Sequence, residues 1–201
     1  LFYVTSLLAL GTVIFVRHFQ HIQTVENTSF CRDLTIRACK YGIVISAGLL
    51  FSVAGNLGGE VWRILDPTIF SIAIYSKGGN AAGLAFFGFA LIIIARRYEF
   101  SLVPLLLWSG VLLLLISFIW TGHAQKAGPI AQAVLSLHLV AIAFWLGSFL
   151  PLRRMCSSPE PENLYKVADR FGTIAIFYVC LLFISGLIFL KLYHSSVRIQ
   201  F

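Results

Sequence analysis

The charged residues of this chain fall into short clusters, and the apolar stretches between them are about as long as a bilayer is thick. A helix needs roughly 20 apolar residues to cross about 30 Å of hydrocarbon. In lipid, every backbone N–H and C=O must find its partner within protein, and a helix meets that demand inside one segment. The pattern therefore predicts an all-α fold, a polytopic transmembrane helix bundle. Composition points the same way, with 59% hydrophobic and only 11% charged residues, where soluble domains carry about 25% charged.

Six spans are expected. They run from Leu1 to Val16, Tyr41 to Leu57, Asn80 to Ala95, Phe100 to Thr121, Pro129 to Leu150 and Phe171 to Leu190. Arg17 and His18 close the first, and Arg96 and Arg97 close the third. Pro129 suits the first turn of the fifth helix, where its missing N–H has no partner to lose. Pro151, with Arg153 and Arg154, is read as ending that helix, and SSPEPEN at Ser157–Asn163 as a polar turn. The stretch holding Glu26, Arg32, Asp33, Arg37 and Lys40 reads as a polar connection. The apolar segment Thr68–Tyr75 is too short to span, so it is expected to lie at the interface or to re-enter. Residues 1–201 read as a single transmembrane domain. The first run starts at Leu1 without an initiator Met, a basic leader or an A-x-A site, so it reads as a first span of a chain truncated at both ends.

Net charge is +7, but the basic residues sit in several short connections, unlike the patch or stripe of a nucleic-acid binder. They set orientation instead. Connections after the first, third and fifth spans carry Arg17, Arg32, Arg37 and Lys40, then Arg96 and Arg97, then Arg153, Arg154, Lys166 and Arg170. The others and the tail carry half as many: Arg63, Lys77, Lys126, Lys191 and Arg198. The richer side is expected to be cytoplasmic, which leaves the amino terminus outside.

His138 is the most informative residue. It lies nine residues past Pro129, hence roughly 13 Å below the outer boundary and near the midplane. An ionisable group at that depth is costly and marks function by default; the alternative is a neutral imidazole bonded to a neighbouring helix. Ala131, Leu135, His138, Ala141, Ile142 and Trp145 share one broad face. His123 ends the fourth helix at the outer interface, where an imidazole is either solvated or a metal ligand. His18 and His21, beside Arg17, read as interfacial. His194, in the tail, is a possible third outer ligand without supporting context. Cys31, Cys39, Cys156 and Cys180 show no zinc spacing, and Cys180 reads as a small packing residue. Ser46, Ser52, Ser109, Ser117 and Ser185 read as glue between helices. No span carries an internal Asp, Glu, Lys or Arg, which argues against a carboxylate proton pump. Nor is a nucleophile–base pair evident, so an enzyme is not expected.

Three stretches resemble the copper resistance protein D (CopD) family of bacterial inner-membrane proteins. TGHA at Thr121–Ala124 is similar to the family's GHA at a helix end. SLHLVAIAFWLGSFLPL at Ser136–Leu152 resembles its LHLLAAALWLGGLLPL-type helix, and DRFGTIAIFYVCLLFISGL at Asp169–Leu187 its RFS…A…V…L…SG segment. The resemblance implies eight membrane helices in a full-length protein. It also implies copper moved from periplasm to cytoplasm, often beside a periplasmic copper-binding partner, with His123 and His138 at the matching histidine positions. On this reading the chain is a copper-handling protein of the bacterial inner membrane with a periplasmic amino terminus. Two other classes stand beside it: a b-type cytochrome with histidine haem ligands, and a structural subunit of a membrane complex in which His138 is merely packed.

Overall fold

In a computed structural model, the described residues are 1–59, 66–99, 101–120, 128–157 and 161–198, with backbone alone at 161–162 and 193–198. All regular structure among them is helical: α1 (Phe2–Phe19), α2 (Val25–Gly58), α3 (Pro67–Tyr75), α4 (Lys77–Arg97), α5 (Val103–Ile119), α6 (Pro129–Cys156) and α7 (Pro161–Arg198). Five of these, α1, α2, α4, α6 and α7, are long and apolar enough to cross a membrane, and α5 is a shorter apolar helix. The six expected spans are all present as helices, and the short segment before the third span forms α3.

Local chemistry sets several boundaries. Thr24 caps α2 by accepting from the Asn27 N–H at 3.2 Å, and Gly59 ends it with φ 72°, a left-handed conformation that glycine adopts without a Cβ penalty. Asp66 caps α3 through the Thr68 N–H at 2.8 Å, with Pro67 in its first turn. Ser76 caps α4 through the Gly79 N–H at 3.0 Å.

Three boundaries differ from the sequence reading. The polar stretch from Glu26 to Lys40 is no loop; it is the first half of α2, whose 34 residues extend about 51 Å. Nothing in that stretch breaks a helix, since it holds neither Gly nor Pro. Pro151 does not end α6, which continues to Cys156 with Pro151 in its interior. Proline inside a membrane helix is tolerated where packing and neighbouring groups compensate the lost hydrogen bond, and Pro151 is fully buried. The residues from Asn163 to Arg170 likewise belong to α7.

The centre of the bundle is α1, packed against α2 on one side and α6 on the other. α4 lies between α2 and α5, and α7 packs mainly on α6. α1 and α6 meet backbone to backbone: a Cβ on Gly11 would collide with the Ala143 carbonyl, and one on Gly147 with the Gly11 backbone. Gly88 of α4 and Gly110 of α5 form a second close approach, where a Cβ on either would stand 2.9 or 2.7 Å from the other's carbonyl oxygen. Close packing of this kind associates helices in lipid, where hydrophobic burial contributes little between them.

Hydroxyls are mostly satisfied inside their own helices. Thr12 donates to the Leu8 carbonyl at 2.7 Å, Thr35 to Cys31 at 2.8 Å and Ser117 to Leu114 at 2.7 Å. Cys180 departs from expectation. It is exposed on the outer face of α7, whereas Cys31 and Cys39 are buried.

The cations of alternate connections gather at one end. Arg154, near the end of α6, sits 4.6 Å over the Phe30 ring and lines a depression with Arg37. Arg32, Arg37 and Lys40 of α2 line another with Arg96 and Arg97 of α4. Because Phe30 follows closely on the end of α1, the carboxyl ends of α1 and α6 share that side of the bundle.

Candidate functional site

His138 projects from α6 onto α7. Its Nδ1 lies 3.2 Å from the Leu182 carbonyl oxygen and 3.1 Å from Ser185 Oγ. A carbonyl only accepts, so the nitrogen facing it carries the proton. The Ser185 hydroxyl donates back to the Leu181 and Leu182 carbonyls of its own helix, leaving an oxygen lone pair for the same imidazole N–H. Both partners thus select the Nδ1–H tautomer, in which Nε2 keeps its lone pair. Gly186 leaves room for the ring, since a Cβ there would already stand 3.4 Å from His138 Cε1. Of the shared face read from the sequence, Ala131 and Ala141 are buried while Trp145 is 39% exposed.

His18, in the last turn of α1 beside Arg17, is only partly buried and makes a contact the sequence did not show. Its Nε2 makes a 3.0 Å hydrogen bond to the Tyr178 hydroxyl of α7, joining helices far apart in sequence. Tyr178 stacks on Phe144 of α6, with ring centroids 3.9 Å apart and planes 9° from parallel. Phe171 stacks on the same ring at 5.5 Å and 15°. Beside this assembly runs a crevice of about 740 Å³ between α1, α5, α6 and α7, with Arg17, His18, Trp108 and Tyr178 among its walls and Leu115 and Val140 on the same lining. The apolar sequence around Tyr178 gave no sign of this partnership, because the two residues meet only through the tertiary fold.

The other histidines do not join these two. His21 lies in the exposed turn after α1, its Nε2 3.1 Å from Gln20 Nε2, so it shares no helix face with His18. His123 lies outside the described residues. His194 has its backbone in the last turns of α7, with its side chain outside the described part. Among the described residues, no group of three or more His, Cys, Asp and Glu side chains could hold a metal ion together. His138 and His18 take their α7 partners at Ser185 and Tyr178, seven positions apart and so roughly 10 Å along the helix.

No family model, curated protein or solved structure matches the chain.

Proposed function

We propose that the chain handles copper as a cargo ion within a bacterial inner membrane, with His123 as the outer ligand and His138 as the deeper one. The observation that carries this reading is the locked tautomer of His138. Metal-ligating histidines characteristically donate their other ring N–H to a carbonyl or carboxylate, which fixes the ring and raises its basicity. His138 has that arrangement, with Nδ1–H held by the Leu182 carbonyl and Ser185. Among the described residues His138 stands outside any group of three ligands, an arrangement that suits an ion passed onward better than one held permanently. The basic end of the bundle would then face the cytoplasm and the amino terminus the periplasm, and a periplasmic copper-binding protein would be the donor.

A b-type cytochrome is less well supported. Two axial histidines must flank one haem plane, yet His18 and His138 are tied to α7 about two helical turns apart.

The test is copper content of detergent-purified protein, measured for wild type, His138→Ala and Ser185→Ala with visible spectra. About one equivalent in wild type, lost in His138→Ala and weakened about 10- to 100-fold in affinity by Ser185→Ala, supports copper handling. No copper together with a Soret band moves the assignment to haem. Neither signal leaves His138 as a packing residue of a structural subunit.

A further inference from the structure

The basin between α2 and α4 is too cationic and too well placed to be only a by-product of membrane orientation. Five cations line its 390 Å³, namely Arg32, Arg37 and Lys40 from α2 and Arg96 and Arg97 from α4, and Asp33 is the one carboxylate among its lining residues. Orientation alone requires positive charge on the correct side of the bilayer and is indifferent to whether it converges. Here it converges from two helices onto one concavity. Arg96 adds a second observation: its Nε–H is buried and meets no acceptor among the described residues.

Depth identifies the ligand. α2 and α4 pack antiparallel, with Gly42 giving room to the Phe89 ring, so the residues after Lys40 lie level with those before Arg96. Both apolar runs stop near this level, α2's beginning at Tyr41 and α4's finishing at Ala95, roughly 8 Å further toward the basic end. The basin therefore sits where hydrocarbon gives way to headgroups, the depth of lipid phosphates. Guanidinium forks match phosphate oxygens in pairs, and such charge-assisted bonds are about twice as strong as neutral ones.

We propose that this basin binds the phosphate of an anionic glycerophospholipid, with Arg37, Lys40 and Arg97 supplying the exposed contacts and Arg96 the buried one. The acyl chains would lie along the apolar part of α2 and α4. Lipid held there bridges two helices, so it stabilises their packing as well as occupying the site. This inference stands apart from the copper reading and shares no residue with it.

Native mass spectrometry of the delipidated, detergent-solubilised full chain tests it, with phosphatidylglycerol, phosphatidylethanolamine and inorganic phosphate as probes. One phosphatidylglycerol should bind in preference to phosphatidylethanolamine. Arg97→Gln should weaken it about fivefold, and Arg37→Gln with Arg97→Gln about thirtyfold, as expected from roughly one surface cation's contribution each. Arg37 and Arg97 are both exposed, so these variants should fold, and an unchanged melting temperature without lipid verifies it. Arg153→Gln, which removes a charge at the same end but outside the basin, should leave binding unchanged. Equal binding of phosphatidylethanolamine overturns the proposal, as does equal loss in Arg153→Gln, which would mean a diffuse field. Displacement of the lipid by millimolar inorganic phosphate overturns the lipid assignment in favour of a soluble anion.

Discussion

α1 and α7 are both apolar helices, yet they occupy opposite positions. In its apolar window α1 is 61% buried, whereas α7 is 17% buried despite having the more hydropathic sequence of the two. In water the ordering would be reversed, with the greasiest helix at the centre. In lipid, apolar side chains are equally well solvated outside the bundle, so hydropathy does not decide which helix goes inside. Shape and polarity decide it. α1 carries Ser6, Ala9, Gly11 and Thr12, all buried, which permit close approach and carry hydroxyls best kept from lipid. α7 presents Ile176, Phe177, Phe183, Ile184 and Leu187 outward and is fastened through a few specific contacts, the Phe144 stack, the His18–Tyr178 bond and the His138–Ser185 bond.

If that contrast is correct, a substitution at the small-residue seam should have the largest effect. Gly147→Val places a side chain in the Gly11 backbone, which cannot move aside as a flexible side chain would. We expect a loss of about 3 kcal/mol or more, read as the collapse of a cooperative thermal transition in detergent. Phe144→Ala removes the ring on which Tyr178 and Phe171 both stack. About 2–3 kcal/mol should be lost, the low end for a buried aromatic because lipid replaces part of the transfer contribution. Protease accessibility of the connection between α6 and α7 should rise with it; an unchanged digestion pattern would mean α7 is held by something other than this stack.

Smaller changes sharpen the picture. Tyr178→Phe keeps the ring and deletes the hydroxyl bonded to His18, so stability should fall by about 0.6 kcal/mol, the average for interhelical hydrogen bonds in membranes. A loss several times larger would make His18 and Tyr178 part of a wider polar network. Gly172→Ala is the converse of Gly147→Val: a Cβ at Gly172 meets nothing within 4 Å. It should be neutral or stabilising by about 0.5 kcal/mol, from the helix preference of alanine alone. Chemical denaturation of both glycine variants under one set of conditions gives the contrast directly.

How much of this the sequence revealed follows from the same physics. The spans were legible because apolar length is a local property, and Pro129 announced a helix start by its own chemistry. Continuation of α2 through Glu26–Lys40 was not legible, since a solvated helix and a polar loop can have the same composition. Cys180 was misplaced because an apolar run does not distinguish lipid from core. The place of His138 along α6 could be counted from Pro129, but its partners Leu182 and Ser185 could not. The partner of His18 was hidden for a related reason, since it lies 160 residues away in the sequence.

The meeting of Gly11 with Gly147 also carries a consequence for how the chain is made. α1 is synthesised well before α6, so the seam that Gly11 and Gly147 form cannot close until α6 arrives. The assembly step that joins α1 to α6 is thus a late, long-range closure onto a helix made well before its partner.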